Sequence, residues 1–258
     1  MNALPDLATL SILLHEPRFI AAVAIAVVAG LVRGFTGFGS ALIYMPLISA
    51  IYGPRLAAPN LLLIDTLCSL PFAIKAVPDC NWREVRLVMA TGVLGVPLGV
   101  AALVYIDAIA LRWFIAVLVL IAVAMLASGW RYHGRPTVAA SLGVGALSGF
   151  GAGAVQIGAP PLLVYWLGGQ NSATTVRANI MVYFIMQGVL TFVAYLYGAL
   201  FSAQALALAL LLGVPFGAAL ATGAHFFRGT SDAFYRRLAY VIVAVAGLAS
   251  LPIFDALR

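Results

Sequence analysis

The sequence predicts an all-α membrane protein of about eight hydrophobic stretches in two inverted repeats, the first stretch of each half being a glycine-broken hairpin. Three observations lead there. The 258 residues are 64% apolar and only 9% charged, with a mean hydropathy of +1.09, whereas a soluble domain carries about 25% charged residues. The apolar residues gather into stretches at or above the roughly 20-residue length that a bilayer core demands. The second half of the chain also echoes the first.

Apolar stretches run over about 19–52, 57–77, 85–106 and 113–128, and resume after the polar run WRYHGRP at about 138–167, 175–200, 203–226 and 238–254. The chain divides into a first transmembrane repeat (1–129), a linker (130–136) and a second repeat (137–258). GLVRGFTGFGSALIYMPL from Gly30 aligns with GALSGFGAGAVQIGAPPL from Gly145, matching Gly34-Phe35 to Gly149-Phe150 and Pro46 to Pro161. Asn60 then matches Asn179, and Leu94-Gly95-Val96-Pro97 followed by Gly99 matches Leu212-Gly213-Val214-Pro215 followed by Gly217. Matches in one order at nearly constant offset point to duplication, the construction of many secondary transporters, whose substrate sites lie at the repeat interface.

The first stretch of each half is too long for one helix, since about 34 residues at 1.5 Å each reach roughly 50 Å against a core of about 30 Å. Glycines interrupt each one, at Gly34, Gly37 and Gly39 and at Gly149, Gly151 and Gly153. Read as hairpins that enter and leave on the same side, these stretches place Lys75, Arg83, Arg86, Arg131, Arg135, Arg177, Arg228, Arg236 and Arg237 on one side. Arg18, Arg55, Arg112 and Arg258 fall on the other. Eight single crossings would leave no bias, so the positive-inside rule favours hairpins. The linker then lies in the cytoplasm, both termini lie outside it, and the halves are inverted. The basic residues fall between apolar stretches, which argues against nucleic-acid binding. The first 18 residues, with Asp6, His15 and Glu16 and no early positive cluster, do not resemble a cleavable signal peptide.

Non-helical backbone at membrane depth survives where protein buries it or a polar cavity receives it, so the glycine tips are the candidate site. A helix leaving a tip offers unpaired N–H groups and its positive end to an anion, and Ser40 and Gln156 lie just past the tips. Close helix packing is the alternative use of the same glycines. Arg33, beside the first tip, is an anion-binding charge or a partner for Asp65 or exposed carbonyls. Asp65, the carboxylate well inside an apolar stretch, is a carrier of a coupling proton or half of a structural ion pair. Asn60 and Asn179 either face each other across the pseudo-symmetry axis to line a cavity or serve as caps and interhelical bonds. Arg177, at a helix start beside Asn171 and Ser172, is read as interfacial, and Trp82, Trp113, Trp130 and Tyr132 as an aromatic belt. His15, His133, His225, Cys68 and Cys80 have no metal-ligand spacing, and Ser40 has no intramembrane histidine as a base. No GxxxxGK[ST] run is present. Neither a cofactor nor enzymatic activity is expected.

GFTGFGSALIYMPLI near the start, echoed by GFGAGAVQIGAPPLLV at the midpoint, resembles the sulfite exporter TauE/SafE family of membrane transporters across nearly the whole chain. The motifs depart from the family's consecutive glycines at Thr36, Phe38 and Ala152. The resemblance implies a multi-pass inner-membrane protein that exports sulfite, an organosulfonate or a related small anion. An anion channel is the alternative within transport, with an intramembrane enzyme or a membrane scaffold behind it. The expected partners are the anion and the lipid bilayer, and a homodimer is compatible with this reading.

Overall fold

A computed structural model describes residues 5–128, 137–167, 171–226, 243–248 and 251. The linker 130–136 and most of the stretch 238–254 lie outside the described residues. Among those described the chain is helical, without strands: α1 (Leu7–His15), α2 (Pro17–Thr36), α3 (Ser40–Tyr52), α4 (Pro54–Ala76), α5 (Trp82–Tyr105), α6 (Ala108–Ala127), α7 (Val138–Val155), α8 (Ala159–Leu167), α9 (Ala173–Tyr197) and α10 (Ala203–Phe226). Seven of them, α2, α4, α5, α6, α7, α9 and α10, are long and apolar enough to cross a bilayer. The protein is a multi-pass helical membrane protein.

Helix starts follow local capping chemistry. Asp6 accepts from Thr9 N at 2.8 Å and opens α1, a helix the apolar stretches do not predict. Asp107 accepts from Ile109 N at 2.8 Å, so α6 begins at Ala108 and takes Arg112 into its second turn rather than leaving it in a loop. The exposed carbonyls at the end of α5 are met by Arg55, which donates to Leu103 O and Val104 O at 3.1 and 2.7 Å.

Each long first stretch is a long and a short leg. In the first, α2 ends at Gly37 (φ 80°), and Gly39 (φ 95°) precedes α3. Both glycines occupy the left-handed region that other residues avoid. Thr36 Oγ1 closes the turn, donating to Val32 O at 2.8 Å and accepting from Phe38 N at 3.2 Å. In the second, α7 runs through Gly149, Gly151 and Gly153 without a break, and the chain turns at 156–158 instead. Gln156 is itself left-handed there (φ 59°), held by Gln156 N to Ala152 O at 3.0 Å and by Ser148 Oγ to Gly158 O at 2.8 Å. The short legs, at 13 and 9 residues, extend about 20 and 14 Å, less than the ~30 Å core.

The glycines of α7 serve a seam. Ideal Cβ atoms on Gly145, Gly149 and Gly153 would lie 2.0, 2.6 and 2.3 Å from the Val88, Gly92 and Val96 carbonyls of α5. Gly95 and Gly99 of α5 approach α7 as closely in return. In the same way Gly30 and Gly34 of α2 meet the Phe216 and Leu220 carbonyls of α10 at 2.4 and 2.0 Å, and Gly223 meets Leu31 O at 2.3 Å. These are the two most extensive helix pairings, and each joins the first span of one half to the third span of the other. Contacts advance together along both members, so both pairs are parallel. Through Asn60–Ala205 and Cys68–Gly213, α10 is also parallel to α4. Arg55 brings the start of α4 to the end of α5, and Thr66 meets Gly188 while Asn81 meets Asn179. Thus α2, α4 and α10 run one way and α5, α7 and α9 the other.

The seam is checked by paired substitutions. Gly99→Ala puts a methyl 2.2 Å from Phe150 O and 2.6 Å from Ala154 N, and it should destabilise the detergent-solubilised protein by about 1–3 kcal/mol. Gly143→Ala, with nothing within 4 Å, should be neutral or stabilising by up to about 1 kcal/mol. Thermal unfolding followed by circular dichroism separates the two; equal melting temperatures would contradict the seam.

Candidate functional site

Arg33 lies in the last turn of α2 and is only 6% exposed. A buried guanidinium is tolerated when its charge and donors are met, and the sequence around it supplies both. Its Nε lies 2.9 Å from Asp65 Oδ1 and 3.2 Å from Ser69 Oγ, and its Nη1 donates to the Gly37 carbonyl. Asp65 and Ser69 are one turn apart and share a face of α4. The Phe184 ring of α9 packs with its centroid 5.7 Å from the guanidinium carbon, a cation–π contact. Ser40, the first residue of α3, donates to Asp65 Oδ1 at 3.0 Å. The charge of α2, the start of α3 and the middle of α4 therefore form one hydrogen-bonded unit.

That unit faces a cavity of about 520 Å³, mouth included, bounded by α3, α4, α9 and the second tip. Arg33, Gly39, Ser40, Asp65 and Gln156 line it, as does the start of α8. Gln156 Nε2 donates to Ala152 O and to Tyr195 Oη, both at 3.1 Å. The two short helices present unlike ends. α3 begins Ser-Ala-Leu; Leu42 N donates to Gly39 O at 3.1 Å, which leaves the Ser40 and Ala41 N–H groups as its donors without helical partners. α8 begins Ala159-Pro160-Pro161, and its prolines have no N–H. The positive end that can hydrogen-bond an anion is mainly that of α3.

Helix α9 adds Gln187 and Thr191, which are 2% and 1% exposed. Gln187 Nε2 donates to Ser148 O at 3.3 Å. Gln187 Oε1 and Thr191 Oγ1 are buried without a partner among the described residues and belong to residues that line the cavity. Such atoms cost about 1–3 kcal/mol each, which a bound polar ligand offsets. The sequence reading did not name Gln187, Thr191, Ser69 or Phe184. A polar pair four residues apart in an apolar run was the available signal for the first two.

Other candidates lie elsewhere. Gly34 and Gly37 border a separate cavity of about 320 Å³, mouth included, together with Arg33, Ser69 and Arg177; Arg177, read as interfacial, also lies beneath the first tip. Gly149 and Gly153 are occupied by the seam with α5, and Gly151 faces the Ile157 carbonyl, so these three do not line the large cavity. Asn60 and Asn179 are fully buried but do not meet, since their places on antiparallel α4 and α9 are about 20 Å apart along the axis. Asn60 bonds Tyr44 and donates to Ala205 O at 3.2 Å, at the start of α10. Asn179 accepts from Asn81 N at 2.7 Å, at the start of α5. Each asparagine clasps its helix to the third span of the opposite half.

Fold and cavity together define a helical membrane protein with a charged polar site beside interrupted helices. The chain matches the family model described as Sulfite exporter TauE/SafE over residues 22–250 and belongs to that family of membrane transporters. No match is found among curated proteins or among solved structures.

The pairing of Arg33 and Asp65 carries a stability signature. Arg33→Gln leaves Asp65 without its counter-charge and should cost about 3–5 kcal/mol. The double variant Arg33→Gln/Asp65→Asn should recover most of that loss. Melting temperatures of the four proteins in detergent complete the cycle, and additive losses would show that the two charges are energetically independent.

Proposed function

We propose that this chain is a secondary transporter that exports a small oxyanion, sulfite or an organosulfonate, across the cytoplasmic membrane. It does so by alternating access in an architecture built from two inverted repeats, 1–129 and 137–258. The observation that carries the proposal is the shared cavity of Arg33, Asp65 and the α3 N-terminus. An oxyanion arriving there competes with Asp65 for one guanidinium and gains the N–H groups of α3 and the hydroxyls of Ser40 and Thr191.

The charge balance supplies the coupling. Arg33 and Asp65 are formally neutral together, so an added anion leaves a net negative charge in a region of low dielectric. A proton on the displaced Asp65 carboxylate removes that charge. Anion and proton then move together, outward where the anion's own gradient exceeds the opposing pH gradient, and after release Asp65 returns to Arg33. The crossed seams set what moves: α2 with α10 and α5 with α7 are each held rigidly, so the rocking bodies combine one span from each repeat. The charge bias of the loops supports a cytoplasmic linker 130–136 and termini outside the cytoplasm.

Counterflow in proteoliposomes tests this reading. Vesicles loaded with unlabelled sulfite should accumulate labelled sulfite above protein-free controls, with sulfonates competing. Arg33→Gln/Asp65→Asn, chosen because it retains no unpaired buried charge, should lose at least about thirtyfold in exchange rate, as expected for removing a buried anion-binding charge. Asp65→Asn alone should exchange anion but no longer accumulate it when a pH gradient is imposed to drive uptake. Full exchange by the folded double variant would remove Arg33 from the site, and undiminished proton-driven uptake by Asp65→Asn would remove Asp65 from coupling.

A further inference from the structure

The smaller cavity beside the first tip is not part of the large one, but Arg33 borders both. Its α4 residues, Ser69 and Phe72, lie further along that helix than Asp65, and its α9 residues, Arg177 and Met181, lie nearer the helix start than Gln187. It therefore continues the large cavity toward the end of the bundle where α5, α7 and α9 begin, with the Arg33–Asp65 pair as the partition. Arg177 Nε stands 3.4 Å from where a Cβ on Gly37 would be, so the first tip rests on its guanidinium. Two arginines and the Ser69 hydroxyl border this chamber, and among the described residues its other lining side chains are apolar. Low-dielectric walls strengthen the attraction of a guanidinium for an anion, and guanidinium forks match the paired oxygens of an oxyanion.

We infer that this chamber is a second oxyanion site, a staging position between Arg177 and Arg33 on the path to the main cavity. The inference rests on the transport reading above. An anion entering from the α9-start end meets Arg177 first, which raises its local concentration against the partition. It then passes to Arg33, where it competes with Asp65. From the opposite end the anion reaches Arg33 directly through the large cavity, so Arg177 affects capture from one face only.

The test compares labelled-sulfite exchange by right-side-out and inverted membrane vesicles containing wild-type protein, Arg177→Gln or Arg177→Lys, with thermal melting as a check of folding. Arg177→Gln should raise the half-saturating sulfite concentration about tenfold from one face, the scale of one lost charge-assisted bond, and less than about twofold from the other. Arg177→Lys, which keeps the charge, should recover at least part of the affinity from the affected face. Wild-type exchange with Arg177→Gln unaltered, or impaired equally from both faces, would overturn the staging site while leaving the transport reading intact. No sulfite exchange by folded wild type in either vesicle would overturn both.

Discussion

A guanidinium inside a bilayer-spanning bundle dictates what surrounds it. Arg33 has only a few ways to be tolerated at that depth, and the chain uses several at once: a carboxylate from α4, a hydroxyl one turn further, a carbonyl freed by the helix break, and an aromatic face from α9. The break at Gly37–Gly39 and the charge at Arg33 depend on each other. The break frees a carbonyl that needs a donor, and the arginine needs acceptors. Each would be costly alone.

The seams are the second constraint. Where α5 meets α7 and α2 meets α10, backbone faces backbone, leaving no flexible side chain to absorb a shift. Lipid supplies no hydrophobic drive for helices to associate, so close packing through small residues takes over that role. The polar cavity lies beside these pairs, against α4 and α9, and holds the polar side chains that the seams exclude.

Much of this was legible in sequence, for reasons that also explain what was not. Apolar length gave the spans, and the matched glycines marked where the two halves are alike. Glycine performs two tasks in membrane helices, and spacing alone did not separate them. At Gly37 and Gly39 it turns the chain, while at Gly149 and Gly153 it admits a neighbouring helix and the turn waits until Gln156. The partnership of Arg33 and Asp65 was one of two readings their depth allowed; distance then joined them. Arg177 was read as interfacial from its place near a helix start, and its approach to Gly37 could not be seen because the contact joins segments 140 residues apart in sequence. Gln187 and Thr191 were visible as a polar pair but passed over beside louder glycine motifs. Asp107 and Asp6 were caps that hydropathy ignores.

The asparagine clasps have a further consequence. Asn60 fastens one end of the bundle through neutral groups, Tyr44 and the Ala205 carbonyl. Asn179 fastens the other in a cluster centred on the Glu84 carboxylate, which also accepts from Asn171 Nδ2 at 2.8 Å and from Asn81 Nδ2 at 3.2 Å. Two locks of unlike chemistry at the ends of one repeated architecture cannot be isoenergetic. On the alternating-access proposal, these few side chains bias which end opens at rest, and ionic conditions that leave the neutral lock untouched act on the charged one.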